Sequence, residues 1–158
     1  MTQSKPTPMI QNYLSVKDYY PDALLFYRMG DFYEMFFEDA EKASQLLNIT
    51  LTSRNKNVAS PIPMCGVPYK AAQNYISKLI NQGYKVAICD QVEDPSKAKG
   101  LVKREVTRVV TPGTVLEDDL LEAKSHNFVL AMEIRDNLMG LAYLDVSTGK
   151  FRLTETPG

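Results

Sequence analysis

Metal-ligating and redox side chains are scarce in this chain: 158 residues contain two cysteines and one histidine. Cys65 and Cys89 show no metal-ligand spacing and His126 lies far from both, so neither a metal centre nor a nucleophile–histidine pair is supported. Two reduced, partly buried thiols are the expectation. No apolar run approaches the roughly 20 residues of a membrane span. No apolar signal segment follows Met1-Thr2-Gln3-Ser4-Lys5. A cytoplasmic protein without a membrane partner is expected. A Gly-x-x-x-x-Gly-Lys-Ser/Thr phosphate loop is missing, which removes that route to ATP hydrolysis. Net charge is missing too, with 18 Lys+Arg against 19 Asp+Glu and a formal charge of −1.

That near-neutral total hides an asymmetry. Residues 1–112 hold 14 Lys/Arg and 11 Asp/Glu, a net +3, whereas residues 113–158 hold 4 and 8, a net −4. The first part can carry a modest basic face; the second is poorly suited to touching phosphates. Hydrophobic residues make up 44% and charged residues 23%, ordinary values for a globular protein. The length suffices for one good core, or for one domain plus part of another.

Helix and strand signals alternate along the first 112 residues. Thr7-Pro8 pairs a capping residue with a proline suited to the first helical position, and Met9, Tyr13, Val16 and Tyr20 follow as an apolar stripe. Pro21 ends that helix. Residues 23–28 (Ala-Leu-Leu-Phe-Tyr-Arg) have strand composition, and Phe36, Ala40, Ala43 and Leu47 recur at helical spacing over roughly residues 35–47. Glu38 and Asp39 fall on the polar face of that helix. Residues 49–52 read as a strand, residues 53–60 as a polar, basic loop, and residues 61–64 (Pro-Ile-Pro-Met) as too proline-rich for a central strand. A further helix opens at Pro68 and ends near Gly83; strands follow at 85–91 and 102–110, separated by a basic loop at 95–100. The sum is a mixed α/β domain over residues 1–115 with about three helices. Residues 116–126 form an acidic linker. From residue 127 to 158 the pattern changes to three strands, at 128–134, 138–146 and 150–153, joined by short turns at Asp136-Asn137 and Ser147-Thr148-Gly149.

The densest stretch is Met29-Gly30-Asp31-Phe32-Tyr33-Glu34-Met35-Phe36. Gly30-Asp31 suits a turn at a strand end. If the residues after it are extended, Phe32 and Glu34 point one way and Tyr33 the other, so one face offers a flat ring beside a carboxylate. On the residues alone, Phe32 also fits a core ring and Glu34 a solvated carboxylate. Two other readings stay open on composition. A metal nuclease would draw on Asp31, Glu34, Glu38, Asp39 and Asp145. A protein-interaction module would use the acidic tail.

The string from Leu25 to Glu34 resembles the mismatch-recognition signature of the MutS family of bacterial DNA mismatch repair proteins. So do, in order, Thr7-Pro8-Met9, residues 43–47 (Ala-Ser-Gln-Leu-Leu), 61–69 (Pro-Ile-Pro-Met-Cys-Gly-Val-Pro-Tyr), 86–91 (Val-Ala-Ile-Cys-Asp-Gln) and 109–114 (Val-Val-Thr-Pro-Gly-Thr). The resemblance covers nearly the whole chain and implies an N-terminal piece of a longer protein. The implied arrangement is a mismatch-recognition domain followed by the first strands of a ribonuclease-H-like connector domain. It also implies a DNA-binding protein of the bacterial nucleoid that carries the family's Phe-x-Glu motif at Phe32 and Glu34. That motif sets a ring and a carboxylate against a mispaired or unpaired base in duplex DNA. Further DNA contacts are implied at Arg54, Lys56 and Met64; on the residues alone, the densest basic cluster, with Lys97, Lys99, Arg104 and Arg108, fits groove or phosphate contact or a solvated edge whose lysines block aggregation. In the full-length family ATP and Mg serve C-terminal domains, the protein is a homodimer, and the repair factor MutL and the sliding clamp are partners. No cofactor and no catalysis are expected of the present residues.

Overall fold

A computed structural model describes residues 6–54, 61–93, 100–112, 126 and 128–157. Lys56, Lys97, Lys99 and the linker residues 116–125 lie outside the described residues. The chain divides into two compact units, residues 1–111 and 112–158.

The first unit is built on a six-stranded mixed sheet. Its elements run α1 (Pro8–Tyr19), β1 (Ala23–Met29), β2 (Phe32–Phe36), α2 (Phe37–Leu47), β3 (Thr52–Arg54), β4 (Ile62–Pro68), a 3-10 turn (Tyr69–Ala71), α3 (Ala72–Asn81), β5 (Lys85–Gln91) and β6 (Arg104–Val110). The lateral order is β3-β4-β2-β1-β5-β6. Only β1 and β5 run parallel; every other neighbouring pair is antiparallel.

Local chemistry accounts for most boundaries. Thr7 caps α1 through its hydroxyl, which accepts from the Ile10 amide, and Pro8 follows at the first position. Gly30 sits at φ 58° in a two-residue hairpin that pairs Met29 with Phe32, as the hairpin turns that suit strand twist demand. Phe37 opens α2 in the left-handed region, φ 54°, which is strained for an aromatic residue. Its ring packs 6.3 Å from that of Tyr13, and the conformation passes β2 into α2 without a loop.

Several sequence expectations need correction; the helix expected to open at Pro68 opens at Ala72 after a 3-10 turn, and Pro68 itself ends β4. The segment between the first strand and the second helix is a central strand, β2, and α2 begins at Phe37 rather than near 35. The strand expected at 49–52 lies at Thr52–Arg54, because Asn48 takes a left-handed cap and Ile49 N–H bonds back to Ser44 O, spending residues 49–51 on leaving the helix. Pro63, expected to bar a central strand, lies in β4, one place in from the edge. It pairs only with β3, beyond the reach of β2, and Pro68 pairs only with β2, so neither proline has to donate on both sides.

Each face of this sheet has its own cover. Met9, Ile10 and Tyr13 of α1 pack on Ala23, Leu25, Tyr27, Phe36, Ala87 and Cys89. Helices α2 and α3 meet each other and pack against β4, with α2 also on β2 and α3 on β5. Cys65 and Cys89 are buried free thiols, and burial pushes both up to about 12. Asp39, expected on the polar face of α2, is buried instead. Its carboxylate accepts from Leu25 N–H (3.0 Å), the Tyr13 hydroxyl (3.1 Å) and the Lys17 ammonium (2.9 Å), the pairing that a buried charge requires.

The second unit is a meander, β7 (Phe128–Arg135), β8 (Leu138–Asp145) and β9 (Lys150–Pro157). Asp136 and Asn137 both take positive φ, 47° and 63°, in a tight turn, and Gly149 takes 70° in the next. The third strand runs on past Leu153 to Pro157.

Candidate nucleic-acid interface

Strand β2 presents three side chains to the face that α1 partly covers. Phe36 lies under the Tyr13 ring, 5.0 Å away and edge-on. Glu34, two residues on toward the hairpin, is half-buried, and Phe32 at the tip is 45% exposed. Tyr33 and Met35 point the other way and are buried. The alternation follows from extended backbone.

Directly opposite partners share a face, so the pairing register assembles the surroundings. Phe32 lies between Met29 of β1 and Pro68 of β4; Glu34 lies between Tyr27 and Gly66. Gly66 matters here: a Cβ at that position would sit 3.3 Å from Tyr33 O and 3.6 Å from Glu34 Cγ. Arg54, at the end of β3, donates from Nη1 to Glu34 Oε2 at 3.2 Å, and its guanidinium carbon lies 5.9 Å from the Phe36 ring centroid. Burial raises the Glu34 carboxyl above its ordinary value, opposed by the positive charges of Arg54 and Arg104.

The hairpin tip is braced from behind. The Tyr33 hydroxyl donates to Asp90 at 2.6 Å, and burial pushes that hydroxyl well above its ordinary range. Arg28 stacks over the Tyr69 ring at 3.5 Å and lies 5.6 Å from that of Tyr33. Tyr69 N–H donates to Asp31 O at 2.8 Å. These residues escaped the sequence reading, because nothing local joins Tyr33 to Asp90 or Arg28 to Tyr69.

The structure gathers Phe32, Glu34, Arg54, Met64 and Arg104 on one face and puts Arg108 elsewhere. Met64 is half-buried and packs against the core. Arg104 is buried; it donates to Arg28 O and Val102 O, each at 2.7 Å, and lies 3.4 Å from the Met29 sulfur. It therefore supports the strand behind Phe32 instead of standing free on the surface. Arg108 pairs in register with Ile88, on the opposite face, in an open cleft of about 700 Å³ lined by Tyr33, Tyr69, Lys70, Gln73 and Asp90.

Carboxylates are not collected into a metal centre: among the described residues no group of three or more His, Cys, Asp or Glu is placed to hold an ion. Asp145, one of the five carboxylates a nuclease would draw on, is buried and organises its own turn, accepting from Ser147 N–H (3.1 Å) and the Thr148 hydroxyl (2.6 Å) and bonding His126 Nδ1 (2.6 Å). Among the described residues no helix is long and apolar enough to cross a membrane.

An exposed ring and a partly desolvated carboxylate on an open sheet face, with an arginine at hand, form a surface site on a mixed α/β domain. Residues 7–119 match the family model of MutS domain I. The chain is 60% identical over 99% of its length to the DNA mismatch repair protein MutS of Desulforapulum autotrophicum, covering 17% of that protein. It is 59% identical over 96% of its length to the protein of the same name from Syntrophomonas wolfei, covering 18% of it, and 54% identical over 96% to that of Staphylococcus aureus, covering 17%. The chain belongs to the MutS family, and it spans less than a fifth of the length of these curated relatives.

Proposed function

We propose that this chain serves DNA mismatch repair by binding mispaired or unpaired bases in duplex DNA through the face that carries Phe32 and Glu34. The observation that carries the reading is the exposure of Phe32 at 45% beside a half-buried Glu34, while Tyr33, Met35 and Phe36 around them are buried. A large ring left in water at the tip of a braced hairpin is costly to folding and useful for stacking.

In the mechanism, Phe32 enters from the minor groove and stacks on a displaced base. Stacking contributes roughly 1–3 kcal/mol per base. Kinking the duplex costs on the order of 1–6 kcal/mol and is cheapest where pairing is already faulty. The ring can hold a weakened step open but only marginally a paired one. Recognition is then mostly a test of how easily the duplex bends, and one site can accept many mispairs. Glu34 hydrogen-bonds the displaced base and is repelled by the phosphates of a matched duplex. Arg54 and Lys56 act on the backbone and Met64 on the sugar or base edge, with Lys97 and Lys99 as further backbone contacts, whereas Arg108 faces the other side of the sheet. ATP and Mg, dimerisation, and contacts with MutL and the sliding clamp belong in this reading to the rest of the full-length protein, acting on the chromosome in the cytoplasm. The test is titration of a matched duplex and a mispaired one, with the chain alone and within the full-length protein. A mispair preference that survives Phe32→Ala unchanged would remove the wedge.

A further inference from the structure

The Arg54–Glu34 pair has a property that neither residue has alone. Arg54 is a cation set beside Glu34 on the face that carries the exposed ring, where it can hold a phosphate, and Glu34 is an acceptor on that face that can meet a base. Yet each occupies the other: Arg54 Nη1 lies 3.2 Å from Glu34 Oε2, with the two side chains 38% and 20% exposed. Neither side chain is shut off from water, and a single 3.2 Å contact joins them, so the pair can change partners. Both ends come from strands the sheet holds in register, β3 through β4 to β2, and Gly66 leaves the space beside the Glu34 side chain free of a Cβ.

We propose that Arg54 and Glu34 form an exchangeable ion pair that couples reading of the base to gripping of the backbone. Glu34 leaves Arg54 only when a displaced base offers it a hydrogen bond, and Arg54, so released, takes a phosphate. On a matched duplex the ring N–H donors are engaged in pairing, so Glu34 keeps Arg54 and one potential phosphate contact stays unused. On an unpaired thymine the free N–H replaces the guanidinium as donor to the ionised carboxylate, and no charge is left buried without a partner. Arg54 is then a specificity-determining residue that never touches the base. The proposal rests on the DNA-binding reading of this face and adds a coupling to it.

A double-mutant cycle of Glu34→Gln and Arg54→Gln tests it in the full-length protein. A duplex with one unpaired thymine and its matched counterpart are titrated across a salt series. Glu34→Gln should tighten matched-duplex binding by about fivefold. It should also steepen the slope of log affinity against log salt by about 0.9, the signature of one added phosphate contact. In the Arg54→Gln background the same change removes only the carboxylate's own repulsion from the phosphates, so it should tighten matched binding by clearly less than fivefold and leave the slope alone. Arg54→Lys, which keeps the charge, should retain part of the coupling. Equal effects of Glu34→Gln with and without Arg54 would overturn the exchange. If the cycle is coupled but Phe32→Ala leaves binding to the unpaired thymine unchanged, the wedge fails while the exchange stands as a control on duplex affinity.

Discussion

Two sheets in one chain, read with the same strand and turn signals, end in opposite states. In the six-stranded sheet the inner strands are shut in on both faces; Leu25, Phe26 and Tyr27 are fully buried. In the three-stranded sheet most large apolar residues are open to water, with Leu153 71% and Ile134 67% exposed, and only Asp145 is buried among the sheet's described residues. Alternation puts Phe128, Leu130, Met132 and Ile134 on one side and Val129, Leu144, Phe151 and Leu153 on the other, so both faces are apolar and both call for cover. Good turns and strand propensity suffice to lay out a meander. They do not bury it.

The largest expected effects sharpen that contrast. Phe36→Ala should cost the first unit about 3–5 kcal/mol, since the ring is fully buried against Tyr13. Leu153→Ala, of similar chemistry, should cost no more than about 0.5 kcal/mol. Urea unfolding followed by domain-specific probes would report both, and equal losses would erase the distinction. Next in size, Phe32→Ala should weaken mispair binding by roughly 1–3 kcal/mol, the worth of one stacked base, while stability changes by less than about 1 kcal/mol. A fall of several kcal/mol in stability would return Phe32 to the core. Phe32→Tyr should keep much of the stacking.

Amide exchange offers a third test. The amides of β7 and β9 should exchange faster than those of β1 and β5, because an uncovered sheet opens at little free-energy cost; alternatively its exposed faces pair two copies, which sedimentation would reveal. Uniformly slow exchange in a monomer contradicts the comparison.

The smallest effect is electrostatic. Burial raises the folded-state value of Glu34, with Arg54 and Arg104 opposing. Because that value lies above the unfolded one, the folded state holds the extra proton, and the penalty is absent below the unfolded value. Stability is lost as pH rises from there through the folded value. Glu34→Gln should therefore be slightly stabilising at neutral pH, by well under about 1 kcal/mol after solvent screening. The difference should vanish in acid. A gap that widened on acidification would reverse the sign.

How much of the site was legible can be traced residue by residue. The same-face placement of Phe32 and Glu34 follows from strand period alone, once Gly30-Asp31 is read as a turn. That their segment is a central strand did not, because residues 61–64, which run into the neighbouring β4, read as too proline-rich for a central strand. Arg104 and Arg108 read identically in sequence, as cations on one basic strand. Residue 104 was buried and residue 108 sent to the far face by the side of β6 each occupies, and by a register shift between Ile88 and Cys89.

By itself the sequence determined the local devices: the Thr7-Pro8 helix start, the Gly30-Asp31 and Asp136-Asn137 turns, the alternation along β2, and the absence of a phosphate loop. Each acts within a few residues, where backbone sterics and nearby hydrogen bonds settle the outcome. Only the tertiary structure decided which strands are neighbours, that Arg54 would meet Glu34 across 20 residues of chain, and that Tyr33 would be tied to Asp90 across 57. Those meetings depend on which apolar faces can be buried together. That is a property of the whole sheet and its helices, and no short segment carries it.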